Sequence, residues 1–185
     1  MWEKEKAFAI QRLKREIEAG KVDIEILDII ELINAHKNYY TTSTCSGRIQ
    51  VIDIDNLSSM RGKRIINKHS EISAQEILSS SFNNFLFLMA EPPIFHIVAK
   101  DLEAAKKLLE ISHNIGFKRT GIRDVKNERF VVEVLSTEFL KIPLGKNGKL
   151  WFSNENLNEI VKISNVLLKR GKNKLEKMRS ELKNL

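Results

Sequence analysis

The sequence predicts an α+β fold, a mixed α/β single domain of residues 1–185 in which helices flank a central mixed sheet. Single helical segments alternate with groups of strand-like segments that are often adjacent in the chain, which is typical of this class. No Gly-x-Gly-x-x-Gly turn follows a strand, so a Rossmann nucleotide-binding fold is not expected. A chain of 185 residues buries roughly 70% of its unfolded surface, which is enough for one substantial core.

Two helices are predicted before the first strand. Residues 3–19 carry apolar side chains at helical spacing, and Gly20 ends the run, so an amphipathic helix is predicted there. Asp23 is predicted to cap a second helix, whose residues up to Asn34 are almost all apolar. Such a helix is expected to be buried on more than one side.

The composition then changes to that of strands. Residues 39–43 are rich in β-forming types, and residues 48–53 alternate polar with apolar side chains, so two strands joined at Thr44–Gly47 are predicted. Further along, Ser73 and Glu76 have the spacing of a capping box, which predicts the start of a short helix.

The second half of the chain predicts further strands and two helices. Phe85–Ala90 and Ile94–Ala99 are apolar runs separated by two prolines, which predicts two buried strands or one bent strand. Asp101 and Gly116 bracket apolar residues at helical spacing and predict a helix with a cap at each end. The remaining predicted elements are strands at 120–124, 129–135 and 139–142, turns at Lys126–Asn127 and Gly145–Gly148, and a helix from Asn154 past Gly171.

Positive charge is concentrated in two parts of the sequence. Lys and Arg total 31 against 24 Asp and Glu, a formal net charge of +7, which favours a polyanionic partner and nucleic acid first. No acid occurs from Asn56 to Ser70, and we expect a flexible basic loop there, in which residues 63–68 could form a short strand. A second basic cluster at 169–179 lies on the last predicted helix, where a solvated helix face is the alternative interpretation. The cations expected to bind phosphate in the first segment are Arg61, Lys63, Arg64 and Lys68.

Cysteine and histidine usage limits the class of protein. Cys45 is the one cysteine, which excludes a disulfide or a multi-thiolate zinc site within one chain and fits the reducing cytoplasm. The N-terminal segment lacks the apolar core of a signal peptide, and no apolar run approaches the ~20 residues of a membrane span. No metal is predicted, because none of the four histidines is paired at metal-ligand spacing: His36, His69, His96 and His113.

The densest polar segment is Thr41–Arg48, which contains six small hydroxyl or thiol side chains followed by glycine and arginine. Small side chains and Gly47 let a ligand approach the backbone, so the segment is typical of an anion or cofactor cradle. A polar hairpin turn is the alternative. Cys45 is either a nucleophile or an inert cysteine, and within the segment only Arg48 could activate its thiol.

The string Tyr39–Ile49 carries a resemblance to a known family. Its Ser-rich Cys-Ser-Gly-Arg segment, Cys45–Arg48, resembles the signature of the tRNA wybutosine-synthesising methyltransferases, the third protein of that pathway. The resemblance covers nearly the whole chain and indicates an archaeal single-domain form. Further matching segments are Gly20–Asp23, Asn34, Glu91–Val98, Ala104–Leu109, Gly116–Ile122 and Leu140–Leu144.

This resemblance implies an enzyme that moves a methyl group from S-adenosylmethionine to the N-4 atom of a tricyclic wyosine-type guanosine beside the anticodon of phenylalanine tRNA. Such a transfer requires the nitrogen, the methyl carbon and the sulfur to be held in line. Arg48 would donate to a carboxylate or phosphate. Cofactor or substrate binding is implied for Ser43, Thr44, Cys45, Ser46, Gly47 and Arg48. The candidates for a base that removes the nitrogen's proton are His69, His96 and Asp23.

The sequence departs from the family pattern at two motifs. Residues 62–69 keep a glycine, a lysine and the histidine but lack the family's tryptophan, and Leu135 stands where the family has an arginine before Ser-Thr. Only Arg123 and Arg129 are nearby replacements for that arginine. Two other functions stay open: a noncatalytic RNA-binding module, and a cysteine-dependent hydrolase built on Cys45, for which no His-Asn or His-Asp arrangement is tied to the cysteine.

Overall fold

The structure is a computed structural model that describes residues 1–126 and 128–183. The helices are α1 (Trp2–Glu18), a short 3₁₀ helix (Ile24–Ile26), α2 (Leu27–Ala35), α3 (Ala74–Leu78), α4 (Leu102–Ile115) and α5 (Asn154–Leu182). The strands are β1 (Tyr39–Cys45), β2 (Arg48–Asn56), β3 (Arg61–Lys68), β4 (Phe85–Glu91), β5 (Ile94–Ala99), β6 (Gly121–Lys126), β7 (Arg129–Leu135), β8 (Leu140–Lys146) and β9 (Lys149–Leu150).

The chain divides into two compact units. Unit 1 contains Met1–Ser46, Pro93–Thr137 and Lys172–Leu185, and unit 2 contains Gly47–Pro92 and Glu138–Gly171. Each unit has its own sheet: sheet 1 has the strand order β1-β5-β7-β6, and sheet 2 has the order β3-β2-β4-β8-β9. The prediction of a single domain over residues 1–185 stays a prediction.

The α+β class is confirmed, whereas the central mixed sheet is replaced by these two sheets, in which all the described strand pairs are antiparallel. Parallel pairing requires a crossover connection of a dozen or more residues back into the same sheet. Here the pairs β2–β3, β6–β7 and β8–β9 follow one another closely in the chain, so antiparallel pairing is the accessible arrangement.

The predicted hairpin between the first two strands is wrong, because β1 pairs with β5 and β2 pairs with β3 and β4. A two-residue hairpin needs positive φ at its first central residue. In the Ser46–Gly47 connection only the second residue, Gly47, has positive φ, at 90°. Pro92 and Pro93 lie between β4 and β5. They lack the backbone N–H groups that would continue the strand pairing, so β4 and β5 are two separate strands.

The core of unit 1 lies between one face of sheet 1 and the helices α2, α4 and the end of α5. As predicted, α2 is buried on more than one side: Ile29, Ile30 and Ile33 are at most 1% exposed. On the other face of sheet 1, Trp2 and Ala9 of α1 pack against the strands. The contacts of α1 on this second face are with Tyr40, Val98 and Val131, and polar side chains can occupy the rest of the face.

The core of unit 2 lies between one face of sheet 2 and the helices α3 and α5. Ser73 and Glu76 form the predicted capping box of α3, and Asp101 and Gly116 cap α4 as predicted. The last helix runs through Gly171 as predicted. The turn at Gly145–Gly148 is shorter than predicted, since β8 extends to Lys146, and Asn127 of the turn predicted at Lys126–Asn127 lies outside the described residues.

Candidate functional site

The polar segment belongs mostly to strands. Ser43, Thr44 and Cys45 end β1, Ser46 and Gly47 connect the sheets, and Arg48 begins β2. Ser46 is fully buried. The positive φ of Gly47 is readily adopted only by glycine, so the glycine is required by the backbone at this connection. The prediction that Ser43–Arg48 binds cofactor or substrate stays a prediction, while the hairpin-turn alternative is wrong.

A cavity of about 240 Å³ in unit 1 is lined by residues 41–44 together with α1 and the segment that follows it. Arg12 of α1 donates a hydrogen bond from Nη2 to the Thr42 carbonyl at 2.5 Å. Its Nε is buried and makes no hydrogen bond to any described residue, although the Glu16 carboxylate lies 3.5 Å away. The cavity wall thus contains a buried guanidinium N–H that has an ion-pair partner in Glu16 but no hydrogen bond to a described residue.

Asp23 lies at the start of the 3₁₀ helix but does not cap a helix with its side chain, which corrects the prediction of a cap. Its carboxylate instead accepts a hydrogen bond from the Ser46 backbone N–H at 2.7 Å. A carboxylate that accepts a backbone N–H fixes the conformation of the chain at that point. Asp23 therefore positions the end of the polar segment within unit 1.

A second buried serine lies at the same end of the sheet 1 strands as Ser46, an end that we call the edge. Cys45 of β1, Ile94 of β5 and Leu135 of β7 are aligned in register across this edge. Ser136 follows Leu135, is fully buried, and its Oγ has no hydrogen-bond partner among the described residues. Buried hydroxyl groups are ordinarily bonded, so this orphaned hydroxyl marks the edge as a candidate ligand site.

His96 forms a charged cluster on the partly open face of sheet 1. Its Nε2 lies 2.7 Å from Glu133 Oε2 and 2.7 Å from Arg123 Nη1, and Arg123 Nη1 lies 2.6 Å from the same Glu133 oxygen. The hydrogen bond with His96 is the main cause that lowers the pKa of Glu133, and the nearby Arg123 lowers it further. Register pairs Ser43 with His96 and His96 with Glu133, so a serine of the polar segment and the histidine occupy neighbouring strands.

His69, the other histidine candidate, follows β3 in unit 2. Its Nδ1 lies 2.9 Å from the Gly47 carbonyl oxygen. Since a carbonyl only accepts, this contact requires a proton on Nδ1. The ring thereby holds the backbone at Gly47, and the structure places the two histidine candidates in different units.

Arg48 begins a polar network that crosses sheet 2. Its Nε donates to Glu91 Oε2 at 2.8 Å, and Gln50 Nε2 donates to the same oxygen at 2.5 Å. Gln50 Oε1 in turn accepts from Arg64 Nε at 2.9 Å. The side chains of Arg48 and Glu91 are each about one-third exposed, at 31% and 32%, so this network reaches solvent.

Residues 61–68 of the basic segment form a strand after a turn at 57–60, which corrects the expected flexible loop and confirms the short strand expected at 63–68. Arg61, Lys63, Arg64 and Lys68 all lie on β3 and are exposed. A Cβ on Gly62 would lie 2.0 Å from the Asp53 carbonyl oxygen, so glycine permits the close approach of the two strands. Lys68 pairs with Glu76 of α3.

The second basic cluster holds α5 in place within unit 1. Lys172 pairs with Glu25, and Arg179 Nε lies 2.6 Å from Asp28 Oδ2. The hydrogen bond from Arg179 is the main cause that lowers the pKa of Asp28. These two cations of the 169–179 cluster therefore stabilise the fold and do not belong to a solvated helix face, and phosphate binding by the rest of the cluster stays a prediction.

Comparison with known families decides the class of the chain. The family profile described as "Methyltransferase TYW3" matches residues 4–184. This chain belongs to the TYW3 methyltransferase family. The match confirms the family resemblance carried by Tyr39–Ile49, and it makes the chain a member of an enzyme family, which removes support from the noncatalytic module and from the cysteine hydrolase.

Named relatives of this TYW3 chain match it over nearly their whole lengths. A Thermococcus sibiricus protein named "tRNA(Phe) 7-((3-amino-3-carboxypropyl)-4-demethylwyosine(37)-N(4))-methyltransferase" is 37% identical, with 98% of this chain and 94% of the relative covered. A Pyrococcus furiosus protein with the same name, numbered 2, is 39% identical, with 98% and 90% covered.

Solved structures share the fold of this TYW3 chain. The PH1069 protein from Pyrococcus horikoshii superimposes with a TM-score of 0.91 at 34% identity, with 97% of this chain and 95% of that chain covered. A hypothetical protein from Aeropyrum pernix gives a TM-score of 0.76 at 25% identity, with 88% and 98% covered. The exclusion of a Rossmann fold is thereby confirmed. Among the described residues, no helix has both the length and the apolar character needed to cross a membrane.

Sequence reasoning missed three polar residues that the TYW3 fold places beside the predicted ones. The sequence pattern indicates only a helix residue for Arg12, only a strand residue for Glu133 and only part of an altered motif for Ser136. The two proposed replacements for the family's arginine have other partners, because Arg123 pairs with Glu133 and Arg129 pairs with Glu5. His96 and Glu133 are each a polar residue between apolar residues of a strand, which was the available signal. Only the register of β5 and β7 shows that the two side chains are neighbours.

Proposed function

We propose that this TYW3-family enzyme transfers a methyl group from S-adenosylmethionine to the N-4 atom of a tricyclic wyosine-type guanosine beside the anticodon of tRNA(Phe). The observation that carries this proposal is the near full-length similarity to relatives named for that reaction, at 37% and 39% identity. The Cys-Ser-Gly-Arg segment and the polar cavity of unit 1 support it from the chain's own residues.

The cavity of unit 1 fits the amino-acid end of S-adenosylmethionine. The cofactor supplies an electrophilic methyl group on a sulfonium. The Nε–H of Arg12 has no hydrogen bond to a described residue and lies 3.5 Å from Glu16. A ligand carboxylate suits the guanidinium and a ligand ammonium group suits Glu16, which also lines the cavity, so the zwitterion would bind to both members of this ion pair. The volume of about 240 Å³ is below the roughly 300–1,000 Å³ of pockets that enclose whole ligands. We therefore assign Arg12, Glu16 and the strand end Ser43–Thr44 to the amino-acid end alone.

His96 is the candidate base that the contacts favour. The nitrogen that gains a methyl group must lose its proton, and an imidazole nitrogen can accept it. Nε2 of His96 contacts Glu133 and Arg123, so Nδ1, which has no hydrogen bond to a described residue, is the nitrogen that would accept the proton. The carboxylate of Glu133, 2.7 Å from His96, would stabilise the imidazolium that forms. Asp23 and His69 hold backbone groups of Ser46 and Gly47, so we propose that these two position the polar segment.

The exposed cations of β3 are proposed to bind phosphates of the tRNA. Arg61 and Lys63 are both exposed on this strand, where a polyanion can reach them. If each neutralises one phosphate, the double variant Arg61→Ala with Lys63→Ala should reduce the slope of log K against log salt by roughly one unit for each phosphate that is no longer neutralised. We propose the cytoplasm as the site of this reaction, because the tRNA substrate is there.

The test of the proposed function is transfer of labelled methyl from S-adenosylmethionine to tRNA(Phe) isolated from cells that lack this protein. That tRNA carries the tricyclic base already, whereas an unmodified transcript does not and serves as the control. We expect label in the cellular tRNA alone. Label in neither RNA, under conditions where a named relative labels the first, would exclude the reaction and leave an RNA-binding role.

A further inference from the structure

Sheet 2 has one face that its helices do not cover. Along β4, Leu86, Leu88 and Ala90 belong to the core with α3 and α5, so the alternate residues Phe85, Phe87 and Met89 lie on the opposite face. We call this second surface the aromatic face and define it by Phe85, Phe87 and Trp151 with the flanking cations Arg64, Lys141 and Lys146. None of these residues has a part in the proposed cofactor site.

The aromatic rings of this face rest on buried apolar side chains and remain accessible. Phe85 and Phe87 pack against a small cluster of Ile52, Ile54 and Met89. Trp151 is 53% exposed, and its ring meets Phe85 edge to face, with centroids 6.5 Å apart and an interplanar angle of 81°. A large ring held by a second ring, with much of its surface in solvent, is suited to stack a planar ligand.

The charges around these rings are complementary to an anion. Register pairs Arg64 with Ile52, Lys141 with Met89 and Lys146 with Phe85, so the three cations lie on the same face, and all are exposed. Lys146 Nζ lies 4.5 Å from the Phe85 ring centroid. The carboxylate of Glu91 on the same strand face is already hydrogen-bonded by Arg48 and Gln50. Cations beside an exposed aromatic ring are the combination that binds unpaired nucleotides.

We propose that the aromatic face binds an unpaired nucleotide of the tRNA, with its base stacked on Trp151 and its flanking phosphates held by Lys141 and Lys146. The proposal rests on the proposed function only in taking tRNA as the ligand. It adds the rings of β4 and Trp151 and the cations of β8 as a contact surface, which shares only Arg64 with the cations of β3 already assigned. A second copy of this chain is a less suitable occupant, because two copies of a cationic face repel each other.

The test is the affinity of the full chain for an anticodon stem–loop RNA, measured without cofactor. Trp151→Ala should weaken binding about 5- to 150-fold, as removal of one stacking platform does, and Trp151→Phe should keep most of the affinity. Phe8→Ala, which removes another exposed aromatic ring at 62% exposure, is the matched control and should bind like the parent. RNA should also quench the Trp151 fluorescence, and thermal melting verifies that each variant is folded.

Charge variants make a second arm of this test. Lys146→Ala should lower the salt slope of log K by about one unit, while Lys162→Ala on the opposite side of unit 2, at 71% side-chain exposure, should not change it. Unaltered affinity in Trp151→Ala overturns the proposal, as does an equal decrease in Phe8→Ala. So does a dimer that dissociates in Trp151→Ala while RNA affinity is kept. Methyl transfer is assayed separately. If the parent methylates tRNA and Trp151→Ala still binds RNA like the parent, the stacking proposal is wrong and the proposed function stands.

Discussion

Replacing Ser136 by alanine should raise stability and lower activity together. Ser136 is fully buried and its Oγ has no partner among the described residues. A buried hydroxyl left without a bond costs about 1–3 kcal/mol of the free energy of unfolding. Removing the oxygen should recover part of that cost, and in a chain of this size each 1 kcal/mol corresponds to roughly 2–4 °C in Tm. We therefore expect Ser136→Ala to melt about 2–4 °C above the parent.

Thr120→Val is the matched control for this measurement. Thr120 Oγ1 accepts the Leu135 backbone N–H at 3.3 Å, at the same end of β7, and Thr120 is 7% exposed. The valine keeps the shape but leaves that N–H without its acceptor, which should cost about 1 kcal/mol or more. The two apolar replacements should shift Tm in opposite directions in calorimetry or thermal circular dichroism.

The functional arm uses the same Ser136→Ala protein. If a ligand uses the hydroxyl, the alanine variant makes one hydrogen bond fewer to that ligand, worth about 0.5–1.5 kcal/mol or ~2- to 12-fold in affinity. Cofactor affinity by calorimetry and the rate of methyl transfer would report this decrease. A Ser136→Ala variant that melts below the parent would refute the reasoning, because the hydroxyl would then have a stabilising partner.

Three further predictions concern the polar segment and the His96 cluster. Cys45→Ser should keep most of the activity in the labelled-methyl assay, since transfer from a sulfonium to nitrogen needs no protein nucleophile. If Arg48, in addition to its contact with Glu91, also gives a ligand a charge-assisted hydrogen bond of about 2–3 kcal/mol, Arg48→Ala should lower cofactor or tRNA affinity by ~30- to 150-fold, and titration with each ligand shows which one weakens. The lowered pKa of Glu133 means that its ionised form stabilises the fold above the ordinary glutamate pKa and that this stabilisation disappears as pH falls through the lowered value. The Tm of Glu133→Gln should therefore fall less than the Tm of the parent as pH is lowered from neutral to below the ordinary glutamate pKa. An identical pH dependence in the two proteins would contradict this role of the His96 contact.

The sequence predicted the elements well because their signals are local. The caps Asp101 and Ser73 and the apolar spacing of α2 act within a few residues, and all three appear in the structure. The hairpin at Ser46–Gly47 was predicted wrongly for the opposite reason. Whether two successive strands pair depends on the φ of the connecting residues and on competing partners such as β4 and β5, which residue types alone do not determine.

The candidate site was only half visible in the sequence for the same physical reason. Ser43, Cys45 and Arg48 were found because they are contiguous and chemically unusual as a group. His96 and Glu133 are 37 residues apart, and each alone is an ordinary strand residue. Their pairing follows from an antiparallel register that aligns β1, β5 and β7, and a shift of one residue would place the carboxylate on the opposite face. Register is thus what converts a serine motif, a histidine and an acid from separate strands into one polar surface, so variants that preserve side-chain chemistry but shift β7 should abolish the His96 hydrogen bond as completely as Glu133→Ala does.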